Sequence, residues 1–431
     1  MSTGGFMIKV FKFGGASVKD ADAVKNVASI LSLYKEDKIA VVISAMGKTT
    51  NALERLLNAY YFNTDKKESE FDFILNYHLD IVRDLFPHSD HPVYDELNDI
   101  FAAIKHQLSK EPSDNFDYEY DQLVSLGEII ATKIVSYYLN SVGIENIWLD
   151  ARQIIRTDNT YRDARVIWDK TSELVRQSMN FNKNRIYLTQ GFIGATAENI
   201  STTLGREGSD FSAAIVAWCL DAERVVIWKD VPGVLNADPK YFDNTVKIDN
   251  MSYQDAIELA YYGASVIHPK TIKPLQNKKI PLWVKSFVFP KEKGTLIHNE
   301  KEGLPVPSFI FKVNQVLITI AARDFSFIVE HNLRDIFREL VHHRIKINLM
   351  QNSALSFSIC VDWDERKIPA FIKSIEEEFM VKYNTGLELV TIRHYDQPTI
   401  DRVTVNKDIL LEEKTRHTVQ IVMKDLGNAI E

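Results

Sequence analysis

The first sixty residues alternate between short apolar runs and longer stretches with helical spacing: MIKVFKF, DADAVKNVASILSLYK, KIAVVISA and TTNALERLLNAYY. Runs that are apolar on both faces, separated by helices, predict strands buried in a parallel sheet. From 65 to 140 the pattern is helical and polar, as in FDFILNYHLDIVRDLF and VYDELNDIFAAIKHQL. Strand signals resume at NIWLDARQII, NRIYLTQGFIG, ERVVIWKDVPGVL and IPLWVKSFV.

The pattern breaks at residues 298 to 308, HNEKEGLPVPS, which is charged and then proline-rich, as linkers are. Beyond it NQVLITIAA, NLRDIFRELVHHR, IKINLMQ, LSFSICVDW, ERKIPAFIKSIEEEFMVKY and LELVTIRHY read as β-α-β-β-α-β, a ferredoxin-like unit. The remaining stretch holds strand-like pieces (DRVTVNKD, HTVQIVMKD) and no helix signal, room for half of another such unit. The expected domains are therefore residues 1–303, 309–395 and a partial unit at 396–431.

Composition narrows the function classes. The chain has 431 residues, 45% hydrophobic and 26% charged, the balance of a globular protein of two or three domains. Its formal net charge is -8 and no basic run could track a nucleic-acid backbone. Cys219 and Cys360 both lie in apolar runs and read as core residues, so no disulfide framework is expected. The histidines show no metal-ligand spacing, so no metal site is expected in the chain. No secretory leader or membrane-length apolar run stands out, and a cytoplasmic protein is the expectation.

Several stretches carry candidate chemistry. In VFKFGG, Lys12 precedes Gly14 and Gly15 at the end of a strand. The glycines let backbone N–H groups approach an anion and Lys12 adds charge there, although a glycine pair also serves as a plain strand-to-helix turn. Ser44 closes the next strand, before a loop with Gly47, Lys48, Thr49 and Thr50 that is either a phosphate or substrate loop or a helix N-cap. Ser125 and Glu128 in LVSLGE have capping-box spacing, the reading that the spacing favours; the functional alternative has Glu128 hold an ammonium group. In TLGREGSDFSAA, Gly205 and Gly208 bracket Arg206, and Ser209-Asp210 opens an apolar helix. An arginine at a helix N-terminus suits a carboxylate or phosphate. Asp210 either caps that helix or positions a lysine such as Lys12. In WKDVPGVLNADPK, Asp230 follows a strand and Asp238-Pro239 is ordinary turn chemistry. In GASVIHPKTIKP a helix end runs into a proline-restrained loop, where His268 reads as a packing residue.

Taken in order, KFGGASV, VVISAMGKTTN, LVSLGE, TQGFIGA, TTLGREGSDFSAA, WKDVPGVLNADPK, YGASVIHPKT and GTLI resemble the aspartate kinases of the amino-acid kinase superfamily, over residues 7 to 297. The ferredoxin-like unit resembles an ACT regulatory domain. The resemblance implies an α/β fold, an αβα sandwich around a mainly parallel sheet, followed by the ACT region. It implies phosphoryl transfer from ATP with Mg²⁺ to the side-chain carboxylate of L-aspartate, the entry to lysine, threonine and methionine synthesis. On that basis Lys12 neutralises the transferring group and Asp210 orients it; Thr50, Glu128, Phe192, Arg206 and Ser209 hold aspartate. Gly14, Gly15, Ser44, Lys229, Asp230, Lys240 and Ser265 line the nucleotide side. It also implies a homodimer and an amino-acid effector, lysine or threonine, at the ACT region. Two alternatives stay open: a kinase-like regulatory protein that binds an amino acid with little ATP turnover, and a kinase for another amino-acid carboxylate.

The chain departs from the family pattern where Glu207 replaces a glycine, where Lys229, Leu235 and Lys240 replace a threonine, a tyrosine and an arginine, and where Ser265 replaces a lysine. The truncated second ACT unit implies weak or altered feedback inhibition. A carboxylate nucleophile is already ionised at neutral pH, so the chemistry needs positioning and charge neutralisation rather than a general base. The resemblance puts both positions on the nucleotide side, so Lys229 is expected to replace the charge absent at Ser265. Steady-state kinetics of Lys229→Ala should then show the KM for ATP rising far more than that for aspartate; equal effects would refute the compensation.

Overall fold

The computed structural model describes residues 7–242, 244–264, 267–300, 306–324 and 326–427. The chain forms two compact units, one of Met1–Val234, Lys247–Ile257 and Val266–Gly303, the other of Leu235–Val246, Glu258–Ser265 and Leu304–Glu431.

The first unit is built on β1 (Ile8–Phe13), α1 (Ala21–Ser32), β2 (Lys38–Ile43), α2 (Thr49–Tyr61), α3 (Lys67–Leu85), α4 (Val93–Leu108), α5 (Phe116–Val124) and α6 (Leu126–Ser141). There follow β3 (Ile147–Leu149), α7 (Ala151–Ile154), α8 (Trp168–Ser178), β4 (Ile186–Gln190), β5 (Ile193–Ala195), β6 (Ser201–Thr203), α9 (Gly208–Leu220) and β7 (Arg224–Lys229). After β8 (Val234–Leu235) come β9 (Lys247–Ile248), β10 (Asn250–Ser252), α10 (Tyr253–Tyr262), α11 (Pro269–Lys278), β11 (Leu282–Ser286) and β12 (Thr295–His298). Eight strands form one sheet in the order β10-β12-β11-β7-β1-β2-β4-β3, parallel except between β11 and β12. Ile39 to Ile43 are wholly buried, as strands covered on both faces must be.

Alternation along β1 decides which side chains meet which helices. Phe11 and Phe13 join Trp228, Val41 and Ile43 in one core with residues of α1 to α6. Phe13 stacks on Trp228 at 6.1 Å between ring centroids. Lys12 points to the opposite face, where α9 crosses β1. That helix is apolar all round, and 10 of its 13 residues are buried, the signature of a helix enclosed by other elements.

Two strand expectations shorten. In NIWLDARQII only Ile147–Leu149 is extended, because the Asp150 carboxylate accepts from Arg152 N at 2.9 Å and starts the short helix α7. In the HPKTIKP stretch the loop is a helix: Pro269 sits in the first turn of α11 and the His268 ring accepts from Lys270 N at 3.2 Å.

The second unit carries β13 (Ser308–Ala322), α12 (Glu330–His342), β14 (Ile347–Asn352), β15 (Ser356–Asp362), α13 (Lys367–Ile375) and β16 (Phe379–Arg393). Its sheet runs β14-β15-β13-β16-β18-β17, antiparallel throughout, so the first six elements have the ferredoxin-like order. The proposed linker lies partly outside the described residues, at 301–305. The tail differs from expectation: α14 (Gln397–Val403) precedes β17 (Lys407–Lys414) and β18 (Thr418–Asp425), and both strands extend the same sheet. The Asp396 carboxylate accepts from Thr399 N at 2.8 Å and Pro398 occupies the first turn, so DRVTV continues a capped helix rather than a strand.

Cys219 and Cys360 are buried free thiols. Phe371 is fully buried in the core formed by α12, α13 and the β13–β15 face. Phe371→Ala should cost about 3–5 kcal/mol of stability, read as a lowered denaturant midpoint in the transition of this unit; a loss under about 1 kcal/mol would contradict this packing.

Candidate functional site

The end of β1 brings a buried cation to the tip of the sheet. Lys12 Nζ lies 2.7 Å from Asp210 Oδ1, with both side chains largely enclosed. Asp210 is not the N-cap of α9, a position held by Glu207, and its carboxylate instead pairs with the lysine. Burial alone would raise its pKa, but the Lys12 ammonium, and after it Lys229, outweigh that and hold the carboxyl below the usual carboxylate range.

The two loops that follow β1 and β2 interlock through backbone. Gly47 N donates to Gly15 O at 3.0 Å and Ser44 N to Phe13 O at 3.1 Å. A Cβ on Gly15 would stand 2.7 Å from Gly47 O and 2.8 Å from Ala45 O, so only glycine fits. Gly14 lies against Lys12, where a Cβ would come 3.3 Å from the ammonium nitrogen. The structure thus gathers Lys12, Gly14, Gly15 and Ser44. Thr50 sits in the first turn of α2. Neither Thr49 nor Thr50 is an N-cap: Lys48 holds that position and the Thr49 hydroxyl donates to Met46 O at 2.6 Å.

The capping-box expectation for Ser125 and Glu128 fails. Ser125 is helical, makes no cap bond and donates to Gln122 O at 3.4 Å, because α5 runs almost directly into α6. Glu128 is released from capping and turns toward the β2 loop, where its Oε1 accepts from Ala45 N at 3.3 Å. Its Oε2 is enclosed and without a hydrogen-bond partner. Burial pushes the Glu128 carboxyl up to about 8, against the pull of the Ala45 N–H and of Lys12.

The glycine-rich stretch before α9 supplies the remaining groups. Gly205 has φ +80° and Glu207 φ +53°. Glu207 therefore occupies a left-handed conformation that glycine adopts without strain, at the position where the resemblance expects glycine. Arg206 is exposed between them. Ser209 packs on Gly191, whose added Cβ would stand 2.7 Å from Ser209 Oγ, and Phe192, itself at φ +68°, packs on Gly208. The nucleotide-side candidates are less gathered. Lys229 ends β7 next to β1, close enough to act on Asp210, and Asp230 follows it on the surface. Lys240 belongs to the second unit, in an Asp238-capped turn with Lys240 N 2.9 Å from Asp238 Oδ1. Ser265 lies outside the described residues.

Three supporting residues have no sequence signal of their own. The Tyr77 hydroxyl donates to Lys19 O at 2.5 Å and lies over Gly47, tying the two loops together. His78, fully buried, contacts the Thr49 hydroxyl at 3.4 Å, and burial lowers its pKa to about 4, so it is neutral. Asp121 is buried and accepts from Thr203 Oγ1 at 2.7 Å and Thr203 N at 2.8 Å. Among the described residues no three His, Cys, Asp or Glu side chains cluster as metal ligands.

The model of the amino acid kinase family matches residues 7–286. The chain is 32% identical over 361 residues to the lysine-sensitive aspartokinase 3 of Escherichia coli, covering 82% of this chain and 78% of that one. It is 28% identical over 396 residues to the chloroplastic bifunctional aspartokinase/homoserine dehydrogenase 2 of Arabidopsis thaliana, spanning only 43% of that protein. The crystal structure of E. coli aspartokinase III in complex with aspartate and ADP is similar at a TM-score of 0.80 and 27% identity, covering 97% of this chain and 96% of the other. A second structure of that protein, in complex with lysine and aspartate, matches equally well.

A buried carboxyl whose pKa is raised on folding contributes stability that is complete below its ordinary value of 4.5 and lost as pH climbs through about 8. Glu128→Gln carries no such dependence. Denaturant titrations at pH 5 and pH 9 should show the wild type losing more stability between the two than the variant does; parallel losses would mean that Glu128 is not buried as described.

Proposed function

We propose, since the chain belongs to the amino acid kinase family and within it to the aspartokinases, that it transfers the γ-phosphoryl group of ATP to the side-chain carboxylate of L-aspartate. A carboxylate oxygen attacks the γ-phosphorus, the bond from that phosphorus to the β,γ-bridging oxygen breaks, and 4-phospho-L-aspartate and ADP leave. The observation that carries this reading is the buried Lys12–Asp210 pair beside Glu128, whose enclosed carboxylate oxygen has no partner.

The work of such a site is to bring two anions together. Lys12, held by Asp210, offsets charge on the transferring group, while backbone N–H groups at Gly14 and Gly15 face the phosphates, with Ser44 beside them. Glu128 receives the α-ammonium of aspartate: a cation there favours its ionised form, so substrate binding draws off the proton that burial retains. Arg206 takes the α-carboxylate, with Thr50, Phe192 and Ser209 shaping that side. Lys229, Asp230, Lys240 and Ser265 serve the nucleotide. Mg²⁺ arrives with ATP and is held chiefly by its phosphates, as is usual for this ion.

Residues 309–395 are read as an ACT domain and 396–431 as part of a second, and the first is assigned an amino-acid effector, lysine or threonine. The solved E. coli aspartokinase III with bound lysine supports that class of effector. The assembly is proposed as a homodimer in the cytoplasm; among the described residues no helix is long and apolar enough to cross a membrane.

The test is turnover of purified protein with ATP, Mg²⁺ and aspartate, read by hydroxamate trapping of the acyl phosphate and by coupled ADP release, with glutamate as control. Aspartate-dependent signal in both assays is expected. Aspartate binding without turnover would overturn the reading in favour of a sensor, and turnover with glutamate alone would reassign the acceptor.

A further inference from the structure

The loop that carries Arg206 is poorly held by its own backbone. Two of its four residues, Gly205 and Glu207, have left-handed φ angles, and its internal hydrogen bond is a single turn, Gly208 N to Gly205 O at 3.0 Å. Its shape is imposed by its surroundings. On one side Leu204 N donates to Phe192 O at 2.8 Å. On the other, the segment 162–164 lies over it: Ala164 N donates to Thr203 O at 2.9 Å, and Asp121 grips both Thr203 and Arg162 N. The Asp163 carboxylate stands directly above Gly205, where a Cβ would come 2.6 Å from Asp163 Oδ1. Lys270, from the first turn of α11, closes the arrangement. Its ammonium donates to Leu204 O at 3.0 Å and to Asp163 Oδ1, and it lies 5.4 Å from the Phe211 ring centroid, one residue beyond Asp210.

We propose that Lys270 is a positioning residue for Arg206: by joining the Leu204 carbonyl to the Asp163 carboxylate it fixes the Gly205 turn and so sets the affinity of the site for the acceptor's α-carboxylate. The kinetic part of this inference rests on the acceptor reading above, whereas the structural part does not. As an ion pair the Lys270–Asp163 contact is half exposed and contributes little to overall stability. Its effect is local, because a carbonyl and a carboxylate on either side of one glycine leave that peptide no freedom to turn.

Two measurements on the whole chain test it. Hydrogen exchange without added ligand should show the amides of residues 205–208 exchanging roughly tenfold faster in Lys270→Met, with the C-terminal half of α11 unchanged and Lys270→Arg close to wild type. Unaltered exchange overturns the inference, whatever the protein phosphorylates. In kinetics, Lys270→Met and Asp163→Asn should each raise the KM for aspartate roughly tenfold, leave kcat and the KM for ATP within about twofold, and be non-additive when combined. Equal losses in all three constants, with a lowered melting temperature, would mean a general structural role and overturn it. A wild type that does not use aspartate would defeat the functional reading instead, and the exchange result would still decide the positioning role.

Discussion

The structure turns on one charge buried where a parallel sheet would ordinarily hold an aliphatic side chain. Lys12 occupies an inward position on β1, with strands hydrogen-bonded on both sides and a helix across its face. An unpaired ammonium there would cost several kcal/mol. Asp210 makes the charge tolerable, and it does so from a helix N-terminus, where a carboxylate is itself favoured. The pair adds little net stability over an apolar contact of the same volume. What it secures is a cation with a fixed position at the end of a central strand.

The surrounding loops pack closely on one another and on that cation. The contacts that matter are those no side chain could occupy: Gly15 on the carbonyls of Ala45 and Gly47, Gly191 on Ser209, and Gly208 on Phe192. Each closes a gap between segments far apart in sequence. The site is therefore a property of loop spacing more than of any single residue. Glu128 belongs to the same logic: with one carboxylate oxygen enclosed and unpartnered, burial raises its pKa to about 8 and favours the neutral acid there.

Most of this architecture was legible in the chain. The apolar runs ending in Phe13, Ile43 and Lys229 are strands of one sheet, and the β-α-β-β-α-β order of the second unit stands as read. The residues alone left Asp210 open between a helix cap and a partner for Lys12, and the structure decides for the pair. The failures share a cause. Ser125–Glu128 has the spacing of a capping box, but α5 abuts α6 and leaves no free first turn to cap. DRVTV alternates like a strand, but Asp396 and Pro398 had already started a helix. In both places a local pattern met a neighbouring constraint that pattern reading does not weigh.

Tyr77, His78, Asp121 and Lys270 were not legible for a different reason. Each has a partner, backbone or side chain, in a segment distant in sequence, and such pairings leave no mark in a sequence. Lys19 O, Met46 O and Leu204 O gain their importance from lying beside left-handed or glycine turns, where the chain's own hydrogen bonds run out. A loop that must present N–H groups or an arginine outward cannot also satisfy itself inward. It borrows order from side chains behind it, and those side chains answer to loop geometry rather than to chemistry. Glu207 makes the dependence plain, because a β-carbon in a left-handed conformation persists only where surrounding contacts outweigh about 1 kcal/mol of strain.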